Sequence, residues 1–312
     1  MLTSIYKKLV WYIKGKHRRP YTFNNGQSRT RYGENIILDT PEGGKAIYDV
    51  LITGKPLMIS RFGSTELSYI FHYLNHRKEP EKWTQYHRTE ITHQSGFYPT
   101  DDKSLDAFCK LYLSILKDID VLGVWFKPGE DYLVKKYMKR PQLIPLVAIE
   151  PYYNSPPWSR YLKSKKVLVI HPFAESIEAQ YLKNRKYLFP NENVLPDFQL
   201  MTIKAVQSLN GASADYASWF EALDHMKEQI SQMEFDIAII GAGAYGMPLA
   251  SFIKGLGKQA IHMGGATQIL FGIRGTRWDN HPFFQQFFNK HWIRPSSMDR
   301  PSGKLLEDEA YW

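Results

Sequence analysis

From Asn35 onward the chain repeats one unit: a short apolar run, a turn, and a helix-forming stretch. The runs predict strands over Pro56–Phe62, Asp120–Phe126, Leu143–Ile149, Lys166–His171, Leu200–Ala205, Asp236–Gly241 and Lys258–Met263. Most are solidly apolar rather than alternating, as strands covered on both faces are. Helices are predicted over Ser64–Leu74, Ser104–Lys117, Ser176–Lys186, Tyr216–Met233 and Gly246–Leu256. This alternation predicts an α/β fold with a Rossmann-like, mostly parallel sheet and helices on both faces. Such sheets take ligands at the carboxyl ends of their strands. The expected organisation is a basic amphipathic segment over 1–34, an α/β domain over 35–292 and a tail over 293–312. The prolines of Pro151-Tyr-Tyr-Asn-Ser-Pro-Pro-Trp158 can continue neither a helix nor a central strand, so a joint between two halves is expected there.

The polar residues of interest fall at predicted strand ends. Phe235-Asp-Ile-Ala-Ile-Ile-Gly-Ala-Gly-Ala-Tyr-Gly246 leads a buried strand through Gly241 and Gly243 into a helix starting at Gly246, with Tyr245 just before it. A glycine turn of this kind gathers backbone N–H groups at a helix N-terminus and suits a phosphate. The same glycines could serve only close helix–strand packing. A dinucleotide site would need an acid about 20 residues on, at the end of the next strand. That strand, Gln259-Ala-Ile-His-Met263, runs into Gly264-Gly265 with no Asp or Glu, which argues against NAD and also against a methyltransferase.

Three further turns carry chemistry. Met58-Ile-Ser-Arg-Phe-Gly-Ser-Thr-Glu66 ends a strand at Arg61, turns at Gly63 and starts a helix at Ser64 and Thr65. Arg61 can hold a diphosphate bidentately. Glu66 can bind a metal, act as a base, or simply stabilise the helix dipole beside Arg61. His171 ends another strand, where an imidazole can serve as acid, base or phosphate contact. His262, Gly264, Gly265 and Gln268 form a second glycine turn. Arg274, Arg277 and Trp278 follow it, suited to neutralising phosphate and stacking on a base or sugar. His93-Gln-Ser-Gly-Phe-Tyr-Pro99 adds a polar, aromatic loop for an acceptor. No Walker loop, Gly-x-Ser-x-Gly or His-Glu-x-x-His occurs.

Composition narrows the classes. The chain has 312 residues, 14% of them aromatic, and a net charge of +9. Aromatic side chains suit carbohydrate and nucleobase sites as well as cores. The charge excess implies an anionic partner, yet no zinc-finger, helix-turn-helix or RNA-binding pattern is present, so no nucleic acid is expected. Six of the first 20 residues are Lys or Arg with no acid among them, and Leu2, Ile5, Tyr6, Leu9, Val10 and Ile13 share one helical face. This suits contact with an anionic membrane surface through residues 1–20, or packing on the chain's own domain or a sister subunit. A single cysteine, Cys109, excludes an intrachain disulfide. With no secretory or membrane-spanning stretch, a cytoplasmic protein is expected, peripheral at the inner membrane face.

Arg61-Phe-Gly-Ser-Thr-Glu66 resembles the Arg-Phe-Gly-Asp-Gly-Glu motif of bacterial glycosyltransferases of the GT-D fold. The segments Phe235–Gly246 and Lys258-Gln-Ala-Ile-His-Met-Gly-Gly265 are similar to that family's late strand–turn–helix–strand region. The resemblance covers roughly residues 56–71 and 235–278. It implies transfer of a sugar from a nucleoside-diphosphate sugar, a UDP-sugar above all, to a glycan or lipid-linked acceptor in surface polysaccharide assembly. The family pattern has an Asp-x-Glu pair with a divalent metal, Mn²⁺ or Mg²⁺. Here Ser64 stands for the Asp, so Glu66 alone is left to bind metal or act as base, with His171 the second base candidate. A non-catalytic nucleotide- or sugar-binding subunit of an assembly complex, and an NAD-dependent oxidoreductase, are the competing readings.

Overall fold

The computed structural model describes residues 31–32, 34–208, 215–299 and 310–312. The amphipathic stretch over residues 1–20 lies outside them. Strands β1 (Arg31–Tyr32) and β2 (Asn35–Ile36) pair antiparallel ahead of helix α1 (Thr40–Leu51). The seven predicted strands then appear as β3 (Leu57–Arg61), β4 (Val121–Val124), β5 (Gln142–Pro145), β6 (Lys166–His171), β7 (Gln199–Lys204), β8 (Ile237–Ile240) and β9 (Gln259–His262). They form one sheet in the order β5-β4-β3-β9-β8-β6-β7, and every pairing is parallel.

Solid apolar strands produce two cores, one on each face. In β6, Leu168 and Ile170 join the cluster under helices α2 (Ser64–His76), α4 (Asp102–Ile115), α7 (Trp219–Ser231) and α8 (Gly246–Gly255). Val167 and Val169 point the other way, towards α1 and α6 (Ala174–Leu188). All four are fully buried, at roughly 1.5–3 kcal/mol each relative to exposure. Only a sheet sandwiched between helices rewards that pattern.

Three helices were not evident from periodicity. In α1, Gly43 and Gly44 interrupt the apolar stripe, yet a capping box between Asp39 and Glu42 starts the helix. The two glycines let it close on Ile144, Ala148 and Asn154. Helix α3 (Gln85–Ser95) buries only Ile91 and Ser95 and ends at Gly96 in the left-handed region (φ 62°). Helix α5 (Glu130–Tyr137) is short. The predicted strand over Leu143–Ile149 is cut at Pro145, after which Leu146–Ile149 form a tight 3-10 turn. The stretch 151–158 connects edge strand β5 to β6 in the other half of the sheet. Its Trp158 is fully buried, with Nε1 donating to the Ile149 carbonyl at 2.9 Å.

The chain walks outward from β3 to β5, crosses over, and walks outward again from β6 to β7. Strands β8 and β9 then return to fill the centre. A crevice opens where the winding reverses, above the carboxyl ends of β3, β9, β8 and β6.

Candidate functional site

Each of these four adjacent strands delivers a different group to one cleft. β3 ends in Arg61, β9 ends in His262, β8 runs into Gly241, and β6 ends in His171. The cleft encloses about 1330 Å³ of empty space, its open mouth included. Gly63, Ser64, Thr65, Glu66, Gly243, Tyr245, Gly264, Gly265 and Gln268 also line it, so most of the residues singled out from the sequence meet at one place.

The helices that start at this edge lack side-chain N-caps of their own. Elsewhere, α1, α4 and α7 carry N-cap side chains, Asp39, Asp101 and Ser218. At the cleft, α2 follows Gly63, α6 follows Phe173 and α8 follows Tyr245, none with a side-chain cap of its own. The α6 terminus is served from the tail instead, where the Asp299 carboxylate accepts from the Ser176 amide at 3.1 Å. First-turn amides of α2 therefore stand at the cleft wall, where partial positive charge favours an anion, whereas at α8 the Gly246 amide is taken by the Gly243 carbonyl and Pro248 has none.

Gly241 is the tightest point of the floor. A Cβ there would lie 2.5 Å from His171 Cδ2, 2.7 Å from the Gly264 carbonyl and 2.8 Å from Thr267 Oγ1. Only a glycine brings the two turns and the imidazole this close. Gly243 and Gly264 adopt positive φ of 52° and 73°, which turns their backbones sharply at the cleft.

The two histidines are neutral. Burial pushes each imidazole down to about 3, and for His262 the Arg61 charge adds to burial. His171 Nδ1 accepts the Phe173 amide at 3.0 Å, which assigns the ring proton to Nε2. His171 therefore offers an N–H donor through Nε2, with its basic lone pair already engaged. His262 Nδ1 is held by the Ser60 hydroxyl at 3.0 Å.

Arg61 lies under the Trp125 ring, its guanidinium carbon 4.4 Å from the ring centroid. Behind that ring, the buried Glu130 carboxylate accepts the Trp125 and Phe126 amides and the Tyr32 hydroxyl at 2.7–3.1 Å, fixing the wall that Arg61 rests on. Glu150 also sits near Arg61. Burial raises its carboxyl to about 7, opposed by the Tyr152 hydroxyl (2.6 Å) and the Arg61 charge.

Glu66 is the one side-chain carboxylate lining the cleft among the described residues. Its Oε1 accepts the Ser95 hydroxyl at 2.8 Å, and its other oxygen folds back against the Gly63 backbone. Among the described residues no group of three His, Cys, Asp or Glu can hold a metal ion. With Ser64 beside a single Glu66, the chain offers one side-chain carboxylate here, and the other ligands of a divalent ion would have to come from a bound diphosphate and water.

Three of the residues named from the sequence stand elsewhere. Gly246 packs against the His262 ring, serving helix–strand contact. Arg274 pairs with Asp279 at 3.0 Å and stacks on Phe288. Trp278 is buried behind Tyr311. Their neighbour Arg277 does line the cleft, as do Gln94 and Ser95, which the sequence placed on a loop and which instead form the last turn of α3. Sequence reasoning missed Tyr112, Trp125, Phe173, Gln207, Ser208, Tyr311 and Trp312. Phe173, two residues beyond His171, was open to inference from its strand-end position. The other six come from helix faces and loops with no local pattern to mark them.

No family model matches the sequence, and no curated protein matches it. Two solved structures of the domain of unknown function 1792 are similar in fold. One is a selenomethionine-substituted form (TM-score 0.46), and the other is described as having a distinct glycosyltransferase fold (TM-score 0.45). Each is 13% identical to this chain, over 84% of it and 95% of the solved chain.

Proposed function

We propose that this protein is a glycosyltransferase that takes a sugar from a nucleoside-diphosphate sugar, a UDP-sugar first among them, and passes it to a surface-glycan acceptor. The observation that carries this reading is the convergence of Arg61, two glycine turns and a single carboxylate at four adjacent strand ends. A diphosphate matches the floor. Arg61 supplies a planar cation, the turns at Ala242–Gly243 and Gly264–Gly265 supply backbone N–H groups, and His171 supplies an uncharged N–H. In transfer, the bond from the anomeric carbon to the diphosphate oxygen breaks, and a bond to an acceptor hydroxyl oxygen forms. The negative charge gathers on the departing diphosphate, where those donors stabilise it. The hydroxyl proton passes to Glu66, oriented by Ser95. No step is assigned to a metal.

One competing reading has an observation in its favour: with Ser64 beside a lone Glu66, the cleft could belong to a non-catalytic nucleotide- or sugar-binding subunit. A thermal-shift panel of UDP, GDP, CDP, UDP-sugars, NAD and S-adenosylmethionine, with and without Mn²⁺, tests both. A ligand that binds the folded chain raises its melting temperature by mass action. Stabilisation by a nucleoside diphosphate and its sugars, together with sugar transfer that Glu66→Ala abolishes, is the expected result. Stabilisation by NAD alone overturns the reading, and nucleotide binding without turnover leaves the subunit. Contact with a membrane through residues 1–20 belongs to the same proposal, and vesicle co-sedimentation of the full chain tests it.

A further inference from the structure

The cleft has two chemically unlike ends, on opposite faces of the sheet. On the face of α2, α3 and α8 it is lined by Glu66, Gln94, Ser95, Gln207, Ser208 and Tyr245, with Ser208 and Tyr245 joined through their hydroxyls at 2.9 Å. On the other face it is lined by Phe173, Tyr311 and Trp312 with Arg277. Phe173 and Trp312 meet edge to face at 4.8 Å and 73°. Tyr311 closes on Gly265, whose missing side chain makes room for the ring, and the Arg277 guanidinium lies 4.5 Å from the ring centroid.

These rings are held, not draped. The Thr276 amide donates to the Trp312 carbonyl at 2.9 Å, and Arg277 donates to the Ala310 carbonyl at 3.0 Å. Arg294 also donates to the Trp312 carbonyl at 3.1 Å, and Gln268 Nε2 donates to Tyr311 at 3.1 Å and Ile273 at 3.2 Å. Backbone pinned at this many points loses little entropy when something stacks on its side chains. Gln268 is fully buried, and with its amide N–H groups spent on two carbonyls its Oε1 has no donor among the described residues.

We propose that the Phe173–Tyr311–Trp312 end is the nucleobase subsite, which orients the donor with its base there, its diphosphate over the glycine turns and its sugar towards Glu66. This rests on the nucleotide-sugar reading above and adds a direction to it. Flat apolar rings with polar edges are what a base stacks on, whereas a sugar needs the hydroxyls and amides of the opposite end. A base bearing a ring N–H, as uracil does, also brings a donor to an end where Gln268 Oε1 lacks one.

Titration calorimetry of the full chain with UMP, UDP and inorganic pyrophosphate tests the assignment. Trp312→Ala is expected to weaken UMP and UDP by roughly tenfold or more while leaving pyrophosphate unchanged, as base–aromatic stacking is lost and the floor is not. Trp312→Phe, which keeps a ring, is expected to retain most of the UMP affinity and serves if the alanine variant fails to fold. Unchanged UMP affinity in Trp312→Ala overturns the proposal. So does tighter binding of all three ligands, which would make the rings a plug rather than a platform. If the wild-type chain binds none of them, the nucleotide-sugar reading falls first and takes this orientation with it.

Discussion

The two walls of the cleft are made by different means. On one face, Glu66 and Ser95 ride on regular helices, α2 and α3, and meet through one hydrogen bond. On the other face, Tyr311 and Trp312 sit on irregular backbone fastened by donors from Thr276, Arg277, Arg294 and Gln268. Helices hold a carboxylate in a fixed position relative to the strand ends, which proton transfer demands. Pinned loop backbone can present large rings at the mouth of a cleft without a helix behind them, which suits recognition. On the proposed function the contrast separates chemistry from binding, and that separation can be tested.

The largest effect is expected on the helical wall. Glu66→Ala should lower sugar transfer by about 10²–10⁴-fold while leaving UDP affinity near wild type, measured by steady-state kinetics alongside calorimetry. Retained turnover would end the division of labour between the walls. Next comes the floor they share. Gly241→Ala forces a Cβ into His171, the Gly264 carbonyl and Thr267, and overpacking of this kind costs about 1–3 kcal/mol. Gly243→Ala meets nothing within 4 Å and carries only the strain of its positive φ, about 1–2 kcal/mol. Urea denaturation should rank the first variant as the less stable, and the reverse order would refute the crowding at Gly241.

A third prediction concerns pH. His171 refuses a proton in the fold until about pH 3, whereas the unfolded imidazole takes one near 6.5. As pH falls from 6.5 towards 3, the unfolded state binds the extra proton, and stability drops by up to about 1.4 kcal/mol per pH unit for this group. Glu150 acts in the opposite sense. Its carboxyl, raised to about 7, favours the fold at low pH and loses that contribution as pH rises from 4.5 to 7. His171→Gln should therefore flatten the acid limb of the stability curve between pH 6.5 and 3. An unchanged slope would mean that the ring is not the buried neutral group described. The smallest effect is expected for Ser95→Ala, which removes one hydrogen bond to Glu66, worth about 0.5–1.5 kcal/mol. Transfer should fall by less than about tenfold with UDP affinity unaltered. An effect as large as that of Glu66→Ala would move Ser95 into the chemistry itself.

What the sequence made legible was the floor. Strand, glycine turn and helix are local grammar, so Arg61, Gly241, His262, Gly264 and His171 are all legible at strand ends from the residues alone. The seven strands were legible for the same reason, since burial on both faces writes continuous apolar runs. The walls were not. Trp125 reaches Arg61 from β4's end, and Tyr311 and Trp312 arrive from more than 40 residues past the last glycine turn. Nothing in their own neighbourhoods signals a shared cleft. Trp278 drew attention by lying next to two arginines, yet it packs behind Tyr311. Helix α3 stayed hidden because its exposed face is polar all round and only Ile91 and Ser95 go inside.

The order β5-β4-β3-β9-β8-β6-β7 has a consequence for how the chain comes to be folded. The two strands made last lie in the middle, so β3 and β6 can have no common sheet until residue 262 has been synthesised. Until then the growing chain carries two separate half-sheets, each with an apolar inner edge open to pairing. Contacts this remote in sequence form slowly, and exposed edges invite association. The same insertion that assembles the four strand ends also delays their meeting until β9 is in place, so a nascent chain short of residue 262 cannot hold the floor of the site.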